Sequence, residues 1–118
     1  MMMFQTTAGT PITGDTLCDY FKMIINLFFK ILPLREEEDV TLPVYIKSFQ
    51  CELLGFQALI EVLHGDPQFI SLISILQYLA DHPSCEISTV KREVFRAISI
   101  CNKLSSRYAD DGKRGESL

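Results

Sequence analysis

Five prolines, Pro11, Pro33, Pro43, Pro67 and Pro83, divide the chain into apolar stretches, none of which carries a proline in its interior. Proline removes a backbone donor and clashes with the preceding helical turn, so it is tolerated at helix ends and excluded from helix middles. The intervals between prolines therefore bound the helices this chain can build. The intervals 12–32, 44–66, 68–82 and 84–118 also carry apolar residues at helical spacing, and the short interval 34–42 does not.

Residues 1–14 contain Thr, Gly and Pro with little periodicity and read as a flexible N-terminal lead-in. Asp15 is a suitable N-cap, and helix one is expected over 16–32. On a 100° wheel Asp19, Lys22, Asn26 and Lys30 share one stripe about 80° wide, and the remaining positions are apolar or aromatic. Most of this helix must be covered. Between Pro33 and Pro43 the run Arg35-Glu36-Glu37-Glu38-Asp39 reads as a solvated loop.

Leu42 precedes proline, so helix two is expected to open with Pro43 in its first turn and to end near His64, with Gly65 beyond it. Its main face is Ile46, Phe49, Leu53, Phe56, Ile60 and Leu63. A second side, Ser48, Cys51, Gly55, Ala58 and Val62, would admit another backbone closely and predicts burial on two sides. Asp66-Pro67 is a start signal, carboxylate cap followed by proline at the first helical position, and sets helix three at 67–81. After His82-Pro83-Ser84, a Ser88 or Thr89 cap opens helix four over 89–109. The segment 110–118 reads as a disordered polar tail.

These elements predict an all-α fold, a single four-helix domain over 15–109, arranged up-down with helix two central. At 47% apolar residues the chain has enough material for its own core. No basic leader precedes an apolar run, and the stretch Leu17 to Leu32 is short and interrupted by charge, so a cytoplasmic location is expected. The four cysteines, Cys18, Cys51, Cys85 and Cys101, are far apart with no CxxC, in keeping with reduced thiols.

Charge is segregated. Arg92, Arg96, Lys103 and Arg107 fall within about 60° of one another on helix four, with Ser99 and Ser106 alongside. With Lys91 they are five cations against Glu93 alone, net +4, which leaves −8 for the rest of a chain whose total is −4. That row is the candidate surface for an acidic partner or for nucleic acid. The net negative total excludes general nucleic-acid coating, which depends on neutralising many phosphates. Residues 73–80, the turn Asp81-His82-Pro83 and residues 87–96 resemble the first helices of small winged-helix regulators. The resemblance implies a DNA-binding regulator with a helix-turn-helix-like arrangement, although no Gly, Pro or polar turn cluster follows between Arg92 and Tyr108.

Catalytic and metal chemistry find little support. His82-x-x-Cys85 followed by Glu86 is the one close grouping of ligand types, and a structural zinc site needs four. No phosphate-cradling GxxxxGK[ST] or GxGxxG occurs, and the paired carboxylates lie in segments without fixed geometry. No enzyme activity, cofactor or small-molecule substrate is therefore expected. Helix one is apolar over about 240° and helix three carries no charge from Pro67 to Ala80, more than four short helices can hide from one another. The expectation is a non-enzymatic interaction module, a homodimer or a complex with another protein, meeting its partner through Phe21, Ile24, Phe28, Ile31, Ile70 and Ile73.

Overall fold

Buried residues in the long helices recur at alternating steps of three and four, the spacing that keeps one stripe turned toward a neighbour. In α1 (Gly14–Phe29) and the short α2 (Ile31–Glu36) that follows, the stripe is Leu17, Phe21, Ile24, Phe28 and Ile31. α3 (Leu42–Leu59) contributes Ile46, Phe49 and Leu53, and α4 (Pro67–Asp81) contributes Phe69, Leu72, Leu76 and Leu79. α5 (Ile87–Tyr108) runs the full pattern through Val90, Val94, Ala97, Cys101, Leu104 and Tyr108. These side chains form one continuous core. The computed structural model describes residues 3–109, an all-α bundle with a two-stranded hairpin at its start.

α1 and α5 lie antiparallel. The Cys18 thiol donates to the Ser105 carbonyl at 3.0 Å near one end, and the Phe29 and Phe95 rings meet edge to face at 6.1 Å near the other. That register sets the bulky Phe21, Ile24 and Phe28 against the part of α5 that carries Ala97 and Cys101, large against small. α5 also packs on α4 and α2, whereas α3 packs chiefly on α4. The centre is therefore α5, and not the second predicted helix. Ser48, Cys51, Gly55 and Ala58 on α3 are all exposed, and nothing lies within 4 Å of where a Gly55 Cβ would stand. Small side chains offer little area to bury, so the longer apolar stripe of α5 takes the middle.

The largest departures from sequence expectation are at joints. α1 begins at Gly14, capped by the Thr13 side chain, which accepts from the Thr16 amide at 3.0 Å, so Asp15 falls in the first turn instead of capping. Pro33 does not end the helical path. It is the third residue of α2, where its missing N–H would have had no partner anyway. The charged run is mostly helix and helix end, not a plain loop: Asp39 N–H donates to the Leu34 carbonyl at 2.9 Å and Glu38 N–H to Arg35 at 3.2 Å. These two bonds make a Schellman stop with Glu38, φ 53°, in the left-handed position glycine usually takes.

Residues 3–13 are not a loose lead-in. β1 (Met3–Phe4) pairs antiparallel with β2 (Ile12–Thr13), and Gly9 at φ 89° turns the connection. The buried Thr6 bridges to Ile60, while Thr7 N–H donates to the Leu59 carbonyl and Glu61 N–H to the Gln5 carbonyl. This pairing draws Ile60 into extended backbone and ends α3 at Leu59, short of the predicted His64; Glu61–Leu63 continues as a 3-10 turn. α4 spans the predicted 67–81 with Asp66 as its cap. α5 starts two residues before its predicted opening, after an extended Glu86. The predicted tail at 110–118 lies outside the described residues.

The exposure of α3 sets a test. Gly55→Ala is expected to raise stability by roughly 0.5–1 kcal/mol, because a Cβ there meets no neighbour and glycine is a poor helix former. Urea unfolding measures it, and a loss of stability would mean that α3 is packed on its second side.

Candidate functional site

The outward side of α5 is polar because the buried six-residue stripe, with Ile87, Ile98 and Ile100 packed beside it, takes most of the helix's apolar side chains toward the core. Arg92, Arg96, Lys103 and Arg107 are all exposed, as the sequence predicts for one face, but their surroundings differ. Arg96 holds Glu93 through Nε and Nη2 at 3.1 and 2.9 Å, and Arg92 Nη2 reaches the other oxygen of the same carboxylate at 3.5 Å. Two guanidinium groups thus share one carboxylate. Lys103 has no ion-pair partner among the described residues. With Ser99, Asn102, Ser106 and Arg107 it lines a shallow depression that contains no carboxylate among the described residues.

Arg107 belongs half to the surface and half to the fold. Its Nη2 donates to Asp66 Oδ2 at 2.5 Å, and its guanidinium lies 5.0 Å over the Tyr108 ring. Tyr108 Oη donates to the same Asp66 oxygen. The other oxygen accepts the Gln68 and Phe69 amides at 2.9 and 3.1 Å, the N-terminal donors of α4. Burial alone would push this carboxyl up, but the donations from Tyr108, Arg107 and Phe69, together with the positive charge of Arg107, outweigh it and hold Asp66 below the usual range. Tyr108 moves the opposite way, to about 12, through burial and its bond to the anion. From sequence Asp66 was legible as a cap, and its two partners on α5 were not.

Beside the basic row stands an apolar element that the sequence did not single out. Phe95, on the edge of the polar face of α5, is 52% exposed, and Phe29 of α1 against it is 42% exposed. The only available signal was position: Phe95 falls outside the six-residue stripe, at an angle next to Ser99. The residues expected to meet a partner fare differently. Phe21, Ile24 and Phe28 are fully buried and Ile31 nearly so, covered by the chain's own helices, which corrects their assignment to an interface. Ile73 is half-buried against the core, and Ile70 alone of the six is exposed.

Other candidate groups are spoken for locally. His64 Nε2 lies 3.0 Å from the Ala58 carbonyl, and His82 Nδ1 lies 2.9 Å from that of Tyr78 while its ring stacks on Tyr78. All four cysteines are free, and burial pushes the Cys101 thiol up to about 12. Among the described residues no helix is long and apolar enough to cross a membrane. No family model, curated protein or solved structure matches the chain.

The Asp66 cluster predicts an acid limb in stability. Its contribution is fully present above the ordinary carboxylate pKa and is lost as pH falls through the lower native value, since protonation removes the acceptor charge. Asp66→Asn should therefore lower stability at neutral pH by on the order of 3 kcal/mol and flatten the decline below about pH 4. Denaturant melts across pH 2–7 read both effects, and an unchanged acid slope in the variant would assign that limb to other carboxylates.

Proposed function

We propose that the chain is a non-enzymatic helical interaction module of a reducing, cytoplasmic environment that docks an acidic protein partner on the outer face of α5. The observation that carries this reading is an excess of cations beside exposed rings: Arg92 and Arg96 share Glu93, Lys103 has no carboxylate among the described residues, and Phe95 with Phe29 flanks the row. From Arg92 to Arg107 the row extends about 22 Å along one helix. A carboxylate-bearing segment with an aromatic or aliphatic anchor complements both parts. Because the rest of the chain is net negative, such a partner is steered to this face and repelled elsewhere.

The number of cations favours protein over duplex DNA as the partner. DNA affinity grows with the number of phosphates neutralised, and the pairings to Glu93 and Asp66 leave few charges to spare. α5 is also one unbroken helix from Ile87 to Tyr108, and the Ala97-Ile98-Ser99 stretch lies within it. Self-association is the second reading. What favours it is the outer side of α3, where Val44, Cys51, Leu54 and Ala58 are exposed with Lys47 as the neighbouring charge.

A synthetic acidic amphipathic peptide bearing one phenylalanine is the first probe. It is expected to bind, to weaken as salt rises, and to lose about tenfold or more in affinity in the triple variant Arg92→Glu, Arg96→Glu, Lys103→Glu. Arg107 is spared because it supports Asp66. Unchanged affinity in the triple variant overturns the docking surface, and tighter binding to a DNA duplex than to the peptide would put nucleic acid in its place. Light scattering tests self-association separately: a dimer that Ala58→Glu converts to monomer supports the α3 reading, and a concentration-independent monomer ends it.

A further inference from the structure

A second concavity lies on another part of the molecule, where the C-terminal end of α2, the start of α3, the end of α4 and the α4–α5 connection meet. Its volume is about 550 Å³, within the roughly 300–1,000 Å³ of small-molecule sites. The floor is core: Ile31, Ile46, Leu79 and Val90 line it and are each buried. Leu42 and Pro43 form part of the apolar wall. The helix stop after α2, closed by Asp39 N–H on the Leu34 carbonyl and Glu38 N–H on that of Arg35, places Glu38, Asp39 and Val40 along one side of it.

One charged group stands in this apolar wall with its needs partly unmet. Arg35 is half-buried, and its Nη2 donates to the Cys85 carbonyl at 2.8 Å, tying α2 to the α4–α5 connection. Its Nε is buried and donates to nothing among the described residues, and no carboxylate lies within ion-pair distance of the guanidinium. A partly buried cation without a counter-charge is costly, and a carboxylate is the acceptor that suits a guanidinium best. Two carboxylates do border the cleft, and both are engaged or outlying. Asp39 accepts from the Thr41 amide and hydroxyl at 2.8 and 2.6 Å, and Glu38 is exposed at the rim.

We infer that this cleft binds a small apolar monocarboxylate, its hydrocarbon body on Ile31, Ile46, Leu79 and Val90 and its carboxylate on the part of the Arg35 side chain that lines the cleft. The inference is independent of the α5 surface. The chemistry also predicts discrimination. A neutral alcohol keeps the apolar contacts and loses the ion pair, whereas an amine gains only the rim carboxylates and faces Arg35 with like charge.

Decanoate, decanol and decylamine, each below its aggregation threshold, are the probes, followed by amide chemical shifts in titrations of the full chain. Decanoate is expected to bind saturably, about tenfold or more tighter than either analogue, with the largest shifts at Ala80, Ser84 and Cys85. Arg35→Met should remove the preference for the acid while leaving decanol binding as it was. Ala80→Trp, at an exposed position on the cleft wall, should block all three without disturbing the core. The inference is overturned by absence of decanoate binding, by equal or tighter binding of the alcohol or the amine, by shifts centred on Phe29 and Phe95, or by undiminished binding in Ala80→Trp. Should Arg35→Met fail to fold, the probe series and Ala80→Trp still decide between these outcomes.

Discussion

The antiparallel seam between α1 and α5 organises this fold. Phe21, Ile24 and Phe28 need a neighbour that approaches closely enough to remove their whole surface from water, and α5 answers with Ala97 and Cys101 where the rings are bulkiest. Fully burying side chains of this size is worth roughly 1.5–3 kcal/mol each, so the pairing outweighs any arrangement that leaves them half-covered. Once α5 is committed to α1, its flanks remain for α4 and α2, and α3 is left to pack on α4. The exposed second side of α3 is a consequence of that order of preference.

Asp66 plays the corresponding part among polar groups. It closes the N-terminus of α4 with one oxygen and receives Arg107 and Tyr108 from the last turn of α5 with the other. Tyr108 in turn packs against Phe21 and carries Phe4 of the hairpin edge to face at 5.3 Å. One buried carboxylate thereby joins the start of a helix, the end of another and the first strand. A carboxylate in that setting persists because all its bonds are charge-assisted. It also splits the basic row in two, a structural Arg107 and an outward Arg92, Arg96 and Lys103, of which the two arginines share Glu93.

How much of the candidate surface was legible follows from the same division. Helical periodicity placed all four cations on one side, and they are there. The wheel did not reveal that Glu93 lies within the row and neutralises part of it, because its angle is that of a flank and only the extended arginines bring it in. Nor did it distinguish an apolar residue that is covered from one that is not. Phe21 and Phe95 are both aromatic on amphipathic helices, yet the first is fully buried and the second half-exposed. The apolar cleft had no sequence signal, since its walls come from two stretches, 31–46 and 79–90, that only the fold brings together.

By itself the sequence determined what is local: which stretches are helical, where proline and an aspartate cap must start α4, and which side of each helix is greasy. Those properties depend on neighbours within about four residues, through backbone hydrogen bonding, capping and side-chain spacing. The tertiary structure decided what depends on competition between distant surfaces. It chose α5 over α3 for the centre, paired Thr6 with Ile60 to shorten α3, and brought Arg107 and Tyr108 to a carboxylate 41 and 42 residues away. Apolar attraction has no direction of its own, so partners are settled only when all the stripes are packed together and the best-fitting pair excludes the rest.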